Sequence, residues 1–401
     1  MRKFYFQSLY SCYARKQNTS KYIKYLKNQG LLQVNEQDAD DIFVWTCAFR
    51  KDAKENSVNK IRELRKKHPH KELYICGCMP TIDPDLTAEI ANEVNAKVIP
   101  WKNEETFFQK DSLLLCDDVC AELPLCTDVE KYKKLYPDRP ISFADQFIKL
   151  CISEGCNCDC AYCSEKLAFP KYKSFSPDNL VESLNALLKD SNRSATGGGN
   201  KVMLVADSPG EYGIDIGRNI TELMNRLFDL NSDLQIVLHN FHPRFFLQYL
   251  DYFLEKISLG KIYHVNLPIQ SACTRILSKM KRRYTREDLV KIFDGLRQIK
   301  FNMYDTHILV GFDGENDADF EQTVSFIREY KPRYVLASKY MYATYEKDIK
   351  RFEVVSDHDK EKRVLYLASC VRDYGGIINY DGSPLSVDRW NRLNKPKEMD
   401  T

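Results

Sequence analysis

Six short apolar segments, separated by stretches with helical periodicity, most strongly constrain the fold of this 401-residue chain. They occupy residues 147–153, 201–206, 234–240, 262–269, 305–312 and 334–341. The clearest helix begins with Ser176 as N-cap and Pro177 at the first helical position. Alternating strands and helices bury a parallel sheet behind a layer of helices. We therefore predict an α/β fold in which this region forms a partial, open (βα)6 barrel, with its site at the C-terminal ends of the strands.

A second alternation of strands and helices occupies the first hundred residues. Strands are predicted at residues 4–9, 42–46, 73–76 and 97–101, and helices at residues 20–29, 52–67 and 85–95. This pattern predicts an N-terminal domain built on a doubly wound parallel sheet. The alternation stops in an acidic, proline-containing stretch, which indicates a linker. The predicted divisions are an N-terminal domain at 1–110, a linker at 111–140, the barrel at 141–345, and a C-terminal helix and tail at 346–401.

Charge and cysteine usage narrow the function classes. The formal net charge of +2 gives no global attraction to nucleic acid or to a membrane surface. No apolar run approaches the length of a membrane span. Fourteen cysteines in a chain without a secretory signal argue against a disulfide framework. We expect a cytoplasmic protein with reduced thiols, several of them metal ligands, and no membrane partner.

A Cys-x3-Cys-x2-Cys run, formed by Cys156, Cys160 and Cys163, directly follows the first predicted strand of the barrel. Three thiolates can hold three irons of a [4Fe–4S] cube and leave the fourth iron open. S-adenosylmethionine (SAM) chelates such an iron, and one electron then splits its sulfonium to release a 5′-deoxyadenosyl radical. This spacing, with Tyr162 before the last cysteine, is the radical-SAM signature. The alternative is a zinc knuckle, which usually needs a second Cys-x2-Cys pair. We interpret Cys158, inside the run, as a spectator.

Cys12, Cys47 and Cys78 follow three predicted strands of the N-terminal domain. The carboxyl ends of parallel strands share one edge of a sheet, so these thiols would converge there. We predict a second three-thiolate cluster, with buried apolar packing of these cysteines as the alternative and Cys76 as a substitute ligand for Cys78. The remaining cysteines are predicted to be non-ligands: Cys116, Cys120 and Cys126 in the linker, and Cys151, Cys273 and Cys370 in apolar settings.

Many short motifs, in order over about residues 1–370, resemble the radical-SAM methylthiotransferases, which modify a tRNA adenosine or a ribosomal-protein aspartate. Besides Cys12, the matching segments are Trp45-Thr-Cys47-Ala-Phe-Arg50, Cys76-Gly-Cys78-Met, Glu154-Gly-Cys156-Asn-x-x-Cys160-x-Tyr-Cys163, Leu204-Val-Ala-Asp207-Ser-Pro-Gly-Glu-Tyr212-Gly213, Asn266-Leu-Pro-Ile-Gln270-Ser271, Lys279-Met-Lys-Arg-Arg-Tyr-Thr285, Leu309-Val-Gly311-Phe-Asp-Gly314-Glu315 and Asp319-Phe-Glu-Gln-Thr323. The resemblance implies that the N-terminal trio binds an auxiliary [4Fe–4S] cluster and the barrel trio binds the SAM-cleaving one. It also implies that one SAM supplies a methyl group and another supplies the radical.

The chain departs from that family's pattern at three points. Arg15 stands where an asparagine usually follows the first cysteine, and Asp207 stands where a glutamine is common. After residue 342 we expect one helix near residues 359–374 and a polar tail, instead of the small β-barrel (the TRAM domain) that usually grips tRNA or protein substrate.

Further residues are predicted around the cofactor. Gly311 would let backbone approach an adenine or ribose, with a simple strand-to-helix turn as the alternative. Tyr162, Asp207 and Gln270 are further candidate SAM contacts, and helix capping or support of neighbouring side chains is the alternative for the last two. His239 and His242 are interpreted as strand-end histidines with ordinary hydrogen bonds, with a role as ligands as the alternative. The basic residues Lys279, Lys281, Arg282 and Arg283 are interpreted as a solvated helix end, with contact to phosphate or an acidic peptide as the alternative.

The sequence thus predicts a two-cluster radical-SAM enzyme that inserts sulfur, as a methylthio group, at an unactivated C–H bond, with an external electron donor. A peptide or protein substrate is favoured over tRNA, because the expected gripping module is missing and residues 207–213 look closer to the protein-modifying branch. The alternatives are a tRNA methylthiotransferase with a reduced C-terminus, a non-catalytic iron–sulfur redox protein, and a radical enzyme without sulfur transfer. No residue is assigned a catalytic role, and the substrate, methylation of the product and oligomeric state stay open.

Overall fold

A computed structural model describes residues 1–9, 13–100, 147–168, 172–189, 200–341 and 354–380. Within these ranges, residues 13–18, 20, 21 and 166 are described by their backbone alone. The predicted linker, Cys12 and the cysteines at 116, 120 and 126 lie outside the described residues.

The N-terminal residues form a parallel sheet with helices on both faces. Its strands are β1 (Lys3–Ser8), β2 (Leu32–Gln33), β3 (Asp41–Thr46), β4 (Glu72–Gly77) and β5 (Lys97–Val98), and its helices are α1 (Tyr13–Asn28), α2 (Lys51–Lys67), α3 (Met79–Ile82) and α4 (Pro84–Glu93). The strand order β2-β1-β3-β4-β5 reverses direction between β1 and β3. In doubly wound sheets, ligands bind beyond the carboxyl ends of the strands at such a reversal.

Alternation along the strands explains why both faces are covered. In β3, Ile42 and Val44 pack in the core with α2 and α4, whereas Phe43 and Trp45 pack in the core with α1. Successive side chains of a strand point to opposite faces, so a strand buried on both sides reads as a continuous apolar run. The run from Ile42 to Thr46 is of this kind, and every residue in it is buried.

The second sheet is an open parallel barrel. Its strands are β6 (Ile148–Cys151), β9 (Lys201–Val205), β10 (Gln235–Leu238), β11 (Ile262–Asn266), β12 (Tyr304–Val310), β13 (Tyr334–Lys339) and β14 (Ile377–Asn379), and they pair in chain order. A short antiparallel pair, β7 (Ser153–Glu154) and β8 (Lys173–Ser174), joins the two ends of the cysteine loop. The helices are α5 (Glu165–Ala168), α6 (Pro177–Leu188), α7 (Ile220–Leu230), α8 (Pro243–Gln248), α9 (Leu250–Ser258), α10 (Thr274–Lys279), α11 (Arg286–Gln298), α12 (Asp317–Tyr330) and α13 (Asp357–Asp373).

The predicted α/β architecture is confirmed, and α1 begins seven residues before the predicted helix at 20–29. The short strands β2, β7, β8 and β14 were not predicted. For β2 the reason is that a two-residue edge strand leaves no periodicity. The strand β14 corrects the expectation of a polar tail directly after the last helix: Ile377–Asn379 pairs with β13 and extends the barrel sheet. In the part of the chain that the structure describes, no helix is long and apolar enough to cross a membrane.

Candidate metal and cofactor site

A single cavity of about 500 Å³ lies where the carboxyl ends of the two sheets face each other. Residues from both sheets line it. The thiols on its wall belong to Cys47 and Cys78 from the N-terminal domain and to Cys156, Cys158, Cys160 and Cys163 from the barrel loop. Ligand sites of parallel sheets lie at the carboxyl ends of the strands. Here these ends bring cysteines from both domains to one cavity.

The barrel's cysteine loop is held by carboxylates from the segment after β9. The backbone N–H of Gly155 donates to Asp207 Oδ2 at 2.8 Å, and that of Asn157 donates to Glu211 Oε2 at 3.1 Å. Gly155 has a φ of +80°, which a side chain would strain. From the opposite side, the N–H of Ala161 donates to the carbonyl of Met280 at 3.0 Å. The loop is therefore fixed at both ends before any metal is considered.

Cys158, the predicted spectator, lies directly beside Cys156 and Glu211. The sulfur atoms of Cys156 and Cys158 and a carboxylate oxygen of Glu211 all lie within 4.8 Å of one another. Hydrogen bonding between the two thiols raises the pKa of Cys156 and lowers that of Cys158. Three donor atoms this close could hold a single ion, whereas a [4Fe–4S] cube needs ligand sulfurs that are further apart. The sequence spacing gave no sign of Glu211.

On the N-terminal side, Cys47 and Cys78 are placed by tight backbone turns. The N–H of Cys47 donates to Ser57 Oγ at 3.1 Å, and the N–H of Cys78 donates to the carbonyl of Thr46 at 3.1 Å. Gly77 takes a φ of +93°, and a Cβ there would lie 2.6 Å from Thr46 O. Cys76, the predicted substitute ligand, is buried instead, and its thiol donates to a strand carbonyl.

The donor set fits [4Fe–4S] chemistry. Thiolates are the usual protein ligands of such clusters, and both sets of thiols reach the same cavity. Burial raises the pKa of the Cys47 thiol, so metal binding there would release its proton.

Three of the four predicted SAM contacts line the cavity. Tyr162, Asp207 and Gln270 all line the cavity. Gln270 has a φ of +67° and exchanges backbone hydrogen bonds with β12. Gly311 is not among the lining residues. A Cβ at Gly311 would lie 2.4 Å from Lys360 Cγ, so the missing side chain permits the close approach of α13.

Histidines form an uncharged polar part of the cavity wall. Burial lowers the pKa of His239 to about 3 and that of His307 to about 4, so both rings are neutral at neutral pH. Asn266 Nδ2 lies 3.2 Å from His307 Nε2, and an amide nitrogen can only donate. The ring proton of His307 therefore sits on Nδ1. His242 also lines the cavity, but its Nδ1 accepts from Arg244 N as a helix cap, an ordinary hydrogen bond of the kind predicted.

The basic stretch before α11 is divided between solvent and interior. Lys279, Lys281 and Arg283 are exposed, but Arg282 is buried at 4% exposure and lines the cavity. The prediction of a solvated helix end is therefore wrong for Arg282.

The chain is similar to known proteins in both of its parts. Residues 150–327 match the Radical SAM superfamily, and residues 3–98 match Uncharacterized protein family UPF0004. The ribosomal protein uS12 methylthiotransferase RimO of Fervidobacterium nodosum is 30% identical over 76% of this chain and 68% of its own. A probable threonylcarbamoyladenosine tRNA methylthiotransferase of Pyrococcus horikoshii is 28% identical over 79% of this chain and 71% of its own.

Among solved structures, the radical S-adenosylmethionine methyltransferase TsrM from Kitasatospora setae, with cobalamin and a [4Fe-4S] cluster bound, has a similar fold. The two superpose with a TM-score of 0.55 over 84% of this chain and 72% of TsrM, at 12% identity. At that identity the likeness concerns the fold alone.

Proposed function

This chain belongs to the radical-SAM methylthiotransferase family, and we propose that it uses two [4Fe–4S] clusters to insert sulfur, as a methylthio group, at an unactivated C–H bond of a peptide or protein. Its cofactors are SAM and [4Fe–4S] iron–sulfur clusters. When held by Cys156, Cys160 and Cys163, a [4Fe–4S] cluster would supply the electron that splits SAM, and so the radical that removes a hydrogen atom from carbon.

The single observation that carries the proposal is the shared chamber. Cys47 and Cys78 line the same cavity as Cys156, Cys160 and Cys163. A substrate carbon in that cavity would lie between a radical source on the barrel side and a sulfur-bearing metal on the N-terminal side. Cys12 follows β1 by sequence, and we propose it as the third ligand of the N-terminal cluster.

Charge pairing favours a peptide or protein substrate over tRNA. Phosphate recognition needs available cations. The cations among the described lining residues are Arg50, Lys339 and Arg282. Arg50 pairs with Asp52 at 2.6 Å and Lys339 pairs with Glu361 at 2.7 Å, while Arg282 is buried and fully engaged. The neutral histidines add polarity without charge, which suits amide and side-chain groups of a polypeptide.

The proposed compartment and partner follow from the needs of iron–sulfur clusters. The cysteines must stay reduced to bind iron, which fits the cytoplasm. The chain needs one-electron equivalents from outside, so we propose an external electron-donor protein as a partner.

Metal counting tests the two-cluster proposal. We expect about eight irons per chain after anaerobic reconstitution, and about four if one cube binds. The double variant Cys47→Ala/Cys78→Ala should lose half the iron yet still convert SAM to 5′-deoxyadenosine. Cys76→Ala is the matched control, because this neighbouring thiol lies in the core and should keep the full iron content. Full iron in the double variant would refute the N-terminal cluster.

Product analysis tests the substrate. Reduced enzyme and SAM are incubated separately with total tRNA and with ribosomal proteins from cells that lack the enzyme, and both are analysed by mass spectrometry. A methylthio-modified peptide is the expected product. A methylthioadenosine nucleoside in the tRNA would overturn the protein assignment and establish the tRNA alternative. Absence of 5′-deoxyadenosine in both reactions would favour a non-catalytic redox protein.

A further inference from the structure

Arg282 lies inside the barrel although its chain neighbours lie in solvent. Lys281 and Arg283 take positive φ values of 58° and 55°, and both are exposed. Left-handed backbone costs a non-glycine residue about 1–2 kcal/mol. Two such residues on either side of a buried arginine indicate that the fold maintains strain to turn this side chain inward.

The guanidinium of Arg282 is engaged on all its nitrogens. Nε donates to Tyr284 Oη at 2.9 Å, one terminal nitrogen donates to Pro268 O at 2.6 Å, and the other donates to Tyr162 Oη at 3.0 Å and to Cys160 Sγ at 3.6 Å. The hydroxyl of Tyr284 in turn donates to the carbonyl of Ile269. Arg282 therefore ties the cysteine loop to the end of β11.

None of these partners is a carboxylate. Within the described ranges, no Asp or Glu oxygen lies within 4.0 Å of the Arg282 guanidinium. A buried arginine stays protonated and needs an anion nearby. The sulfur of Cys160 is the one group among its hydrogen-bond partners that becomes anionic when a metal binds. Arg282 is thus a buried cation whose natural counter-charge is a metal-bound thiolate at Cys160.

We propose that Arg282 is the charge partner of the Cys160 thiolate and makes the cluster held by Cys156, Cys160 and Cys163 easier to reduce. This inference rests on the proposed function, because it assumes that a cluster binds there. Reduction adds one electron from an external donor, makes the cluster more negative by one charge, and moves no proton. A fixed positive charge that donates a hydrogen bond to a ligand sulfur stabilises the reduced form more than the oxidised form. Arg282 is in this sense a positioning residue, not a catalytic one.

A redox titration of the reconstituted protein tests the proposal without any substrate. The variants are built on Cys47→Ala/Cys78→Ala, so that one cluster contributes to the spectra, and the reduced cluster is followed by electron paramagnetic resonance. In Arg282→Gln we expect the reduced-to-oxidised ratio at a fixed potential to fall about tenfold, which corresponds to a midpoint about 59 mV more negative. Arg283→Gln is the matched control, because it removes the same charge from the adjacent residue. Arg283 is exposed and pairs with Asp159 at 3.1 Å. Its midpoint should equal that of the parent.

A third variant separates charge from structure. Arg282→Lys keeps the positive charge and loses the planar fork, so its midpoint should stay near that of the parent. If Arg282→Gln fails to retain a cluster, the midpoint potential of Arg282→Lys decides the question. A midpoint equal to that of the parent supports the proposal. A midpoint displaced as far as expected for Arg282→Gln overturns it. A loaded Arg282→Gln with the parent's midpoint also overturns it. Failure of the proposed function is distinguishable, because the parent protein would then bind no cluster or form no methylthio product, whatever the midpoint.

Discussion

Two carboxylates, Asp207 and Glu211, give the cysteine loop its shape. Each accepts a backbone N–H from that loop, at 2.8 and 3.1 Å respectively. Asp207 was predicted to contact SAM, with support of neighbouring groups as the alternative. Its observed partner, the N–H of Gly155, favours the supporting role. We therefore propose that the motif after β9 acts on the cofactor through the loop that would carry it.

Removal of single thiols should separate ligands from neighbours. The irons of a cube need ligand sulfurs that are well separated, whereas the sulfurs of Cys156 and Cys158 lie within 4.8 Å of each other. We expect Cys158→Ala to keep the iron content of the parent and Cys156→Ala to lose about half, roughly four irons of eight. Iron and sulfide analysis per chain measures both. Equal losses in the two variants would assign Cys158 to the ligand set.

Glu315 should make stability depend on pH. It is buried, and it accepts from Gly311 N at 2.7 Å and from Arg363 Nη1 at 3.2 Å. Burial raises its pKa to about 7 from the ordinary 4.5, because the cost of desolvation outweighs the opposing effect of these two donors. Between these values the folded state keeps a proton that the unfolded state has lost. Stability therefore falls as pH rises from about 4.5 to about 7, by roughly 3 kcal/mol, and then levels off.

The measurement is the urea midpoint of wild type and Glu315→Gln from about pH 5 to about pH 8. The glutamine variant cannot ionise, so its curve should lack this component. Parallel curves for the two proteins would mean that the pKa of Glu315 is close to normal in the fold.

Sequence patterns predicted the long elements well and the contacts of single residues poorly. Continuous apolar runs such as Ile42–Thr46 identify strands buried on both faces, because periodicity and burial coincide there. The inward turn of Arg282 depends on positive φ values at Lys281 and Arg283, which no residue type in that stretch signals. Glu211 likewise approaches Cys156 only through the fold, across more than fifty positions of the chain.

At the scale of elements, the turn after β12 is closed by α13. Gly311 has a φ of +78°, and the Lys360 side chain from α13 packs directly on it. We expect Gly311→Ala to destabilise the protein by about 1–2 kcal/mol from backbone strain and by a further ~1–3 kcal/mol from overlap with Lys360. Chemical unfolding measures the total.

Gly375 provides the matched control for that substitution. Its φ of +80° is almost the same, but a Cβ there would meet nothing within 4 Å. Gly375→Ala should therefore show the strain component alone. If the two alanine variants are equally destabilised, α13 does not press on the turn as described.

At the scale of the molecule, α5 joins the radical side of the chamber to the N-terminal domain. Ala168 at its end is 1% exposed and packs within the hydrophobic core of the N-terminal sheet, although it belongs to the barrel's cysteine loop. Ser164 Oγ donates to the carbonyl of Phe49 at 3.3 Å across the same junction. The distance between the two sets of thiols is thus set by direct packing, not by the chain connection alone.

Disruption of this contact between the domains should separate SAM cleavage from formation of the methylthio product. Ala168→Arg forces a large charged side chain into the core and should separate the domains, so the enzyme would still split SAM but would lose the modified product. Leu167→Arg, on the 36% exposed neighbour, is the control and should keep both activities. The ratio of methylthio product to 5′-deoxyadenosine is the measurement, because loss of the barrel's own fold would abolish both. A normal ratio in Ala168→Arg would mean that sulfur transfer does not depend on this contact between the domains.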